Sequence, residues 1–203
     1  MFGCSLQAML AVQDSAVEQL ARLHTRVCPR QILGVRIGQR AGELLDLDLP
    51  RSDKLVLAIV EMDGCFADGV SVATGSWFGR RTLHFVDYGK VAATFIDLRT
   101  CRAVRIWADP RARALAERYA PDAADRWHAQ LEAYRAMPAA ELLQWCRVTV
   151  EVPSNVLFNA ECERVVCGAC GEEVMYGRHI LRDGFVLCRA CAGPAYYALE
   201  NCE

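Results

Sequence analysis

Residues 167 to 191 read CGACGEEVMYGRHILRDGFVLCRAC, a segment that begins and ends with a Cys-x-x-Cys pair. Cys167 and Cys170 form the first pair, and Cys188 and Cys191 form the second after seventeen intervening residues. Two residues between paired cysteines let both sulfur atoms of a tight turn face one ion, and two such turns supply four tetrahedral thiolates. The spacing therefore predicts a zinc site.

The residues between the two pairs are typical of a β-hairpin. Residues 174–180 and 185–187 are expected to pair across the Asp183-Gly184 turn, which makes the segment a zinc ribbon. Four thiolates fill the coordination sphere of the ion, so we predict a structural role for the zinc. The Pro-Ser-Asn cluster at 153–155 is typical of a boundary, and the prediction is a domain at 1–155 and a ribbon at 156–203.

Two alternatives for the four cysteines are a pair of disulfides and a redox-active pair. Eleven cysteines fit a disulfide-rich secreted protein, but residues 1–12 lack the basic stretch, apolar run and cleavage site of a secretion signal. A thioredoxin-like pair opens a helix within a parallel-sheet unit, and this tail is short for one. We therefore expect a cytoplasmic protein whose paired cysteines bind metal.

Charge and hydropathy argue against two kinds of partner. The net charge is −2, and no apolar run approaches the ~20 residues of a membrane span. From residue 161 to the end, four arginines stand against seven acidic residues, a net charge of −3. Phosphate-binding modules carry the opposite balance. The sequence thus predicts no membrane contact and disfavours nucleic acid.

Residues 1–155 predict an α+β domain, with a mainly antiparallel sheet covered by helices. The segments at 87–89 and 99–100 are expected to be hairpin turns between consecutive strands. The predicted helices are 17–23, 29–47, 68–74, 110–119 and 123–137, and the predicted strands are 54–61, 82–86, 90–98, 101–108 and 146–152.

A second group of candidate ligands lies near the N-terminus. His24 and Cys28 are three residues apart across a helix break, and Cys65 and Asp68 follow a predicted buried strand. If that strand lies beside the start of the second helix, one imidazole and two thiols meet at a soft-metal site. The alternative is that they are packing residues, which is the commoner role of single His and Cys side chains.

The order of several motifs resembles the FmdE family of formylmethanofuran dehydrogenase subunits. The residues that carry the resemblance are His24-Thr25-Arg26-Val27-Cys28-Pro29-Arg30, Leu33-Gly34-Val35-Arg36, Glu61-Met62-Asp63-Gly64-Cys65 with Asp68, Thr74-Gly75, Gly79, Asp87-Tyr88-Gly89-Lys90-Val91-Ala92-Ala93-Thr94-Phe95, and the terminal ribbon. Together they cover nearly the whole chain.

The resemblance implies an α+β domain with a metal-binding cleft, in a family linked to molybdenum or tungsten enzymes of one-carbon metabolism. It implies His24, Cys28 and Cys65 as ligands of a second metal ion, with Asp68 and Lys90 as polar residues beside the cleft.

This sequence departs from the family motif at three positions: Arg26 replaces the second histidine, Arg30 the glycine, and Ser76 a frequent cysteine. A guanidinium has no free lone pair for a metal. The second site is thus open, weakened or a relic, and Arg26 and Arg30 either make the cleft an anion site or are solvated surface residues.

The leading hypothesis is a cytoplasmic, non-catalytic, zinc-binding accessory protein of a molybdenum or tungsten oxidoreductase. One alternative is an enzyme that uses His24, Cys28 and Cys65 around an open metal position, with Asp68 or Lys90 as the proton shuttle. Another is a zinc-ribbon regulator that binds nucleic acid. Trp77 and Phe78, in a Gly-bounded loop, are expected to line the cleft or a homodimer contact.

Overall fold

The computed structural model describes residues 6–24, 26–151 and 163–198, with the backbone alone for 6–14. The chain divides into two compact units, Met1–Val150 and Glu151–Glu203. The boundary predicted at 153–155 lies outside the described residues. In the part of the chain that the structure describes, no helix is both long and apolar enough to cross a membrane.

The first unit is a mixed α+β domain, as the sequence predicts. Its helices are α1 (Leu6–Leu23), α2 (Pro29–Leu45), α3 (Cys65–Thr74), α4 (Ala112–Tyr119), α5 (Arg126–Ala136) and α6 (Ala139–Leu142). Its strands are β1 (Val56–Val60), β2 (Leu83–Phe85), β3 (Ala92–Asp97), β4 (Arg102–Ala108) and β5 (Leu143–Arg147).

Local sequence sets the ends of the two helices that matter most for function. Pro29 opens α2, where its missing N–H costs no hydrogen bond. The Gln31 side chain accepts a hydrogen bond of 2.8 Å from the backbone N–H of Cys28, which completes the N-terminal cap. Helix α3 ends at Gly75, whose φ of +75° is the left-handed conformation that glycine adopts at helix C-termini.

The five strands form one sheet in the order β2-β1-β3-β4-β5. Three of the four pairings are antiparallel, and β3 and β4 form the hairpin expected at 99–100. The hairpin expected at 87–89 is wrong, because β2 pairs in parallel with β1. The intervening α3 supplies the crossover that a parallel pair requires, so β1 lies between β2 and β3.

The fifth strand begins earlier than predicted. It runs from Leu143 to Arg147 rather than over 146–152, with Leu143 opposite Ala108 and Arg147 opposite Val104. The alternating valines at 148, 150 and 152 favoured the later position. Pairing with β4 decides the register, since β5 starts directly after α6.

The core of this unit lies between the sheet and helices α2, α3 and α5. Phe66, Phe95, Ile37 and Ile106 are fully buried within it. Helices α2 and α3 cross closely, because a Cβ on Gly34 would lie 2.3 Å from the carbonyl oxygen of Phe66. This crossing sets where the starts of the two helices lie.

The second unit contains two short hairpin-like pairs and one helical turn. Strand β6 (Arg164–Val166) pairs with β7 (Glu173–Met175), and β8 (Ile180–Arg182) pairs with β9 (Phe185–Leu187). The helical turn α7 is Arg189–Ala192. The turn at Asp183-Gly184 is therefore where it was expected. The single strand expected at 174–180 is wrong, because residues up to 175 pair with β6 and only Ile180 belongs to β8.

Candidate metal sites

The first pair of ribbon cysteines lies in a tight turn after β6. The N–H of Gly171 donates to the carbonyl of Cys167 at 2.9 Å, and Gly171 has a φ of +78°. The N–H of Gly168 bonds the carbonyl of Val186 at 2.8 Å, which ties this turn to β9. The turn thus directs Cys167 and Cys170 to one side.

The second pair lies at the start of α7, where Cys188 is the N-cap. The N–H of Cys188 donates to the Sγ of Cys167 at 3.2 Å, and the N–H of Cys191 donates to the Sγ of Cys188 at 3.4 Å. Such bonds favour the thiolate form that binds a metal.

The four sulfur atoms form a cluster of the size that one zinc ion needs. All of them lie within 4.8 Å of one another, and those of Cys170 and Cys188 are 4.0 Å apart. Tetrahedral Zn–S bonds of ~2.3 Å place sulfur atoms about 3.8 Å apart, whereas disulfide sulfurs are ~2.05 Å apart. All four cysteines are free of disulfides. The group is a four-cysteine zinc-binding site.

The four thiols interact strongly without a cation. Backbone N–H groups of Cys170, Cys188 and Ala169 lower the pKa of Cys167 to about 6. Hydrogen bonds to the sulfurs of Cys188 and Cys170 raise the pKa of Cys191 to about 12. One thiol therefore ionises readily and resists ionisation of its neighbours, which is the charge that a divalent ion neutralises.

In the first unit, the starts of α2 and α3 bring two thiols together. Cys28 caps α2 and Cys65 is the first residue of α3, and both are partly buried. Burial, then a hydrogen bond to the Cys28 thiol, raises the pKa of Cys65. Arg30 acts in the opposite direction, because its positive charge favours the Cys65 thiolate.

His24 lies at the end of α1 and reaches α3. Its Nε2 is 2.8 Å from Oδ2 of Asp68, and both side chains are about one-third exposed. This contact leaves Nδ1 as the ring nitrogen open to other partners. A carboxylate on the far nitrogen is how proteins commonly orient a metal-binding imidazole.

The remaining predicted site residues lie in different surroundings. The Arg26 guanidinium stacks over the Trp127 ring at 4.7 Å. Ser76 is buried, with its hydroxyl donating to the carbonyl of Val56. Trp77 packs against the small cluster around Leu20 rather than lining a cleft. Each of the three thus has a structural partner.

Lys90 and Phe78 are exposed. Lys90 lines a cleft at β3 and β4 to which none of His24, Cys28, Cys65 and Asp68 contributes. Within the described residues, the ribbon cysteines are the one group of three or more His, Cys, Asp or Glu side chains placed to hold a metal. His24, Cys28 and Cys65 provide a soft donor set, but they do not form such a group here.

Two buried ion pairs were not predicted from the sequence. The side chain of Arg105 donates two hydrogen bonds to Glu61, at 2.6 and 2.7 Å. Asp109, 4% exposed, accepts from the side chains of Arg111 and Gln144. Glu61 ends an apolar strand and Arg105 interrupts another, and a charge within each apolar run was the available signal.

An α+β domain joined to a C-terminal four-cysteine zinc site defines the class of protein. The family model described as "FmdE, Molybdenum formylmethanofuran dehydrogenase operon" matches residues 23–158, and the prokaryotic dksA/traR C4-type zinc finger matches residues 163–197. The chain belongs to the FmdE family. The resemblance stated from the motifs is confirmed.

One curated relative and one solved structure illustrate the similarity. A probable S-adenosyl-L-methionine-binding protein of Archaeoglobus fulgidus is 29% identical over 87% of this chain. The match covers 52% of that relative, so the chain spans about half its length. An FmdE-like protein of the tungsten formylmethanofuran dehydrogenase type, from Syntrophus aciditrophicus, superposes with a TM-score of 0.61 at 20% identity, over 92% of this chain and 95% of that one. This superposition shows the shared fold.

Proposed function

We propose that this chain is a metal-binding accessory protein of a molybdenum or tungsten oxidoreductase of one-carbon metabolism. Membership of a family named after a formylmethanofuran dehydrogenase operon supports the link. The ribbon zinc has four thiolate ligands, so it has no open position for substrate. Its role in the proposal is to fold the ribbon, and any metal exchange falls to the first unit.

The observation that carries the proposal is the placement of His24, Cys28 and Cys65 at three helix ends. The two thiols contact each other, and Asp68 holds the imidazole of His24. Two thiols and one imidazole form a donor set for a soft ion. We propose that this set binds a second ion more weakly than the ribbon binds zinc, because it offers three ligands rather than four.

Metal analysis of the purified protein tests the two sites separately. Wild type is expected to hold one tightly bound zinc per chain, and to take up a second ion when zinc is supplied. Cys65→Ser should abolish the second ion alone, and Cys188→Ser should remove the first. Cys146→Ser is the matched control, since Cys146 is also a free cysteine but lies exposed on β5. Uptake of a second ion by Cys65→Ser would contradict the assignment.

Deletion of the gene in the host organism tests the accessory role. Activity of the molybdenum or tungsten enzyme that oxidises formyl groups or formate should fall, and wild type should restore it. Complementation by His24→Ala should fail, whereas Arg118→Ala, an exposed change on α4, should succeed. Unchanged activity in the deletion strain would contradict the proposal.

The contact between His24 and Asp68 also favours a second candidate, a metal-dependent enzyme. A carboxylate-oriented imidazole beside two thiols can bind an ion that activates water. Lys90 lies on a different cleft, so Asp68 is the proton-transfer candidate beside these ligands. Turnover of a one-carbon substrate by the zinc-loaded protein, lost in Cys65→Ser, would favour this candidate over the accessory role.

A further inference from the structure

We propose that the cleft where β3 begins and β4 ends binds a small aromatic anion, such as an aromatic phosphate. The cleft has a volume of about 480 Å³, which is within the usual range of ligand pockets. It is separate from both cysteine clusters. Its walls come from α2, β3, β4, α4, α5 and the loop between β4 and α4, and they consist of Leu33, Lys90, Val91, Ala92, Arg105, Trp107, Ala108, Asp109, Pro110, Ala112, Arg113 and Tyr134.

The charge of the cleft favours an anion. Lys90, Arg105 and Arg113 line it, against a single carboxylate. That carboxylate, Asp109, is already engaged by Arg111 and Gln144. Lys90 and Arg113 are exposed at the rim, and a desolvated anion gains most from such charged donors.

Arg105 is held in a fixed position before any ligand binds. Glu61, 4% exposed, accepts both of its hydrogen bonds in a two-pronged pair. The same guanidinium lies 5.1 Å from the centre of the Trp107 ring. Because Arg105 is already paired, we assign the anion contacts to Lys90 and Arg113 and a positioning role to Arg105, which fixes the indole.

Aromatic and apolar groups supply the remaining walls. Trp107 is half-buried and Tyr134 is buried, and Leu33 and Pro110 add apolar surface. An indole of this kind offers a flat face for an aromatic ring. The cleft therefore suits a ligand with an aromatic body and one acidic group, rather than a free inorganic anion.

Titration of the full-length protein with phenyl phosphate, followed by NMR, tests the proposal. The chain has four tryptophans, and the Trp107 indole signal is assigned by its loss in Trp107→Phe. We expect a saturable shift of that signal. Lys90→Ala and Arg113→Ala should each weaken binding by about tenfold, or ~1.4 kcal/mol. Arg118→Ala, exposed on the same helix as Arg113, should bind as wild type does.

Two controls separate the parts of the ligand. Inorganic phosphate and benzyl alcohol should each bind at least about tenfold more weakly than phenyl phosphate, since each lacks one half of the recognition. Any of three results would overturn the proposal: no saturable shift at the Trp107 indole, equal binding by a folded Lys90→Ala/Arg113→Ala protein, or equal affinity for inorganic phosphate. Folding of each variant is checked by its amide spectrum.

Discussion

Gly34 and Gly69 lie against each other where α2 crosses α3. A Cβ on Gly69 would lie 3.0 Å from the Cα of Gly34 and 2.2 Å from the carbonyl oxygen of Gln31. Only hydrogen fits between the two backbones here. Because Cys28 and Cys65 are at the starts of the same two helices, this close crossing is what brings the thiols together.

Gly69→Ala is expected to destabilise the first unit by about 1–3 kcal/mol, because the methyl group has to force the helices apart. Urea unfolding followed by circular dichroism measures the change. Gly79→Ala is the control, since no atom lies within 4 Å of its added Cβ and Gly79 has no positive φ. Equal stability of the two variants would show that the crossing is not tight.

Arg36 of α2 caps the C-terminus of α5. It is 8% exposed and donates hydrogen bonds to the carbonyls of Tyr134, Arg135 and Met137, at 2.9–3.0 Å. Arg36→Met should lower the free energy of unfolding by about 3 kcal/mol, since buried carbonyls lose charged donors. Arg40→Met, on the same helix, removes a surface ion pair with Glu43 and should cost less than about 1 kcal/mol. A small effect of Arg36→Met in the same unfolding assay would contradict this role.

Asp109 should make stability depend on pH in the acid range. Hydrogen bonds from the side chain and backbone N–H of Arg111, and then from Gln144, hold the pKa of Asp109 well below its usual value. A depressed pKa stabilises the folded state above the unfolded pKa of about 4 and loses this effect as the pH falls through the folded pKa.

Asp109→Asn should therefore cost about 1–3 kcal/mol near neutral pH, and the difference from wild type should shrink below about pH 4. Unfolding curves at several pH values measure it, with Asp122→Asn as the exposed control. A difference that stays constant down to low pH would argue against the ionised pair.

Zinc affinity of the ribbon should fall as the pH is lowered. The thiols must lose their protons to bind, and without metal the pKa of Cys191 is about 12, so protons compete with zinc. Competition with a chromophoric chelator between about pH 8 and 6 should show weaker binding at lower pH. Affinity independent of pH would mean that the ligands are not thiols.

The sequence was most informative where chemistry depends on spacing. Cys167, Cys170, Cys188 and Cys191 were recognisable because two short Cys-x-x-Cys turns are sufficient to hold one ion. Periodicity likewise predicted the α+β class and most of the helices and strands. Gly75 marked the end of α3, because its left-handed conformation is a local property.

Long-range pairing was harder to predict. The parallel contact of β2 with β1 depends on α3 crossing over the sheet, and the register of β5 depends on β4. The cleft lined by Lys90 and Trp107 joins residues from five helices and strands. No local pattern in the sequence records such contacts, so the turn at 87–89 was misassigned and the cleft was not predicted.

The most direct test of the central claim is X-ray absorption at the zinc edge of the purified full-length protein. We predict one zinc per chain with four sulfur neighbours at ~2.3 Å, and loss of that signal in Cys188→Ser but not in Cys146→Ser. A zinc ion with nitrogen or oxygen neighbours in place of sulfur, or a protein without zinc whose ribbon cysteines are joined in disulfides, would contradict the account.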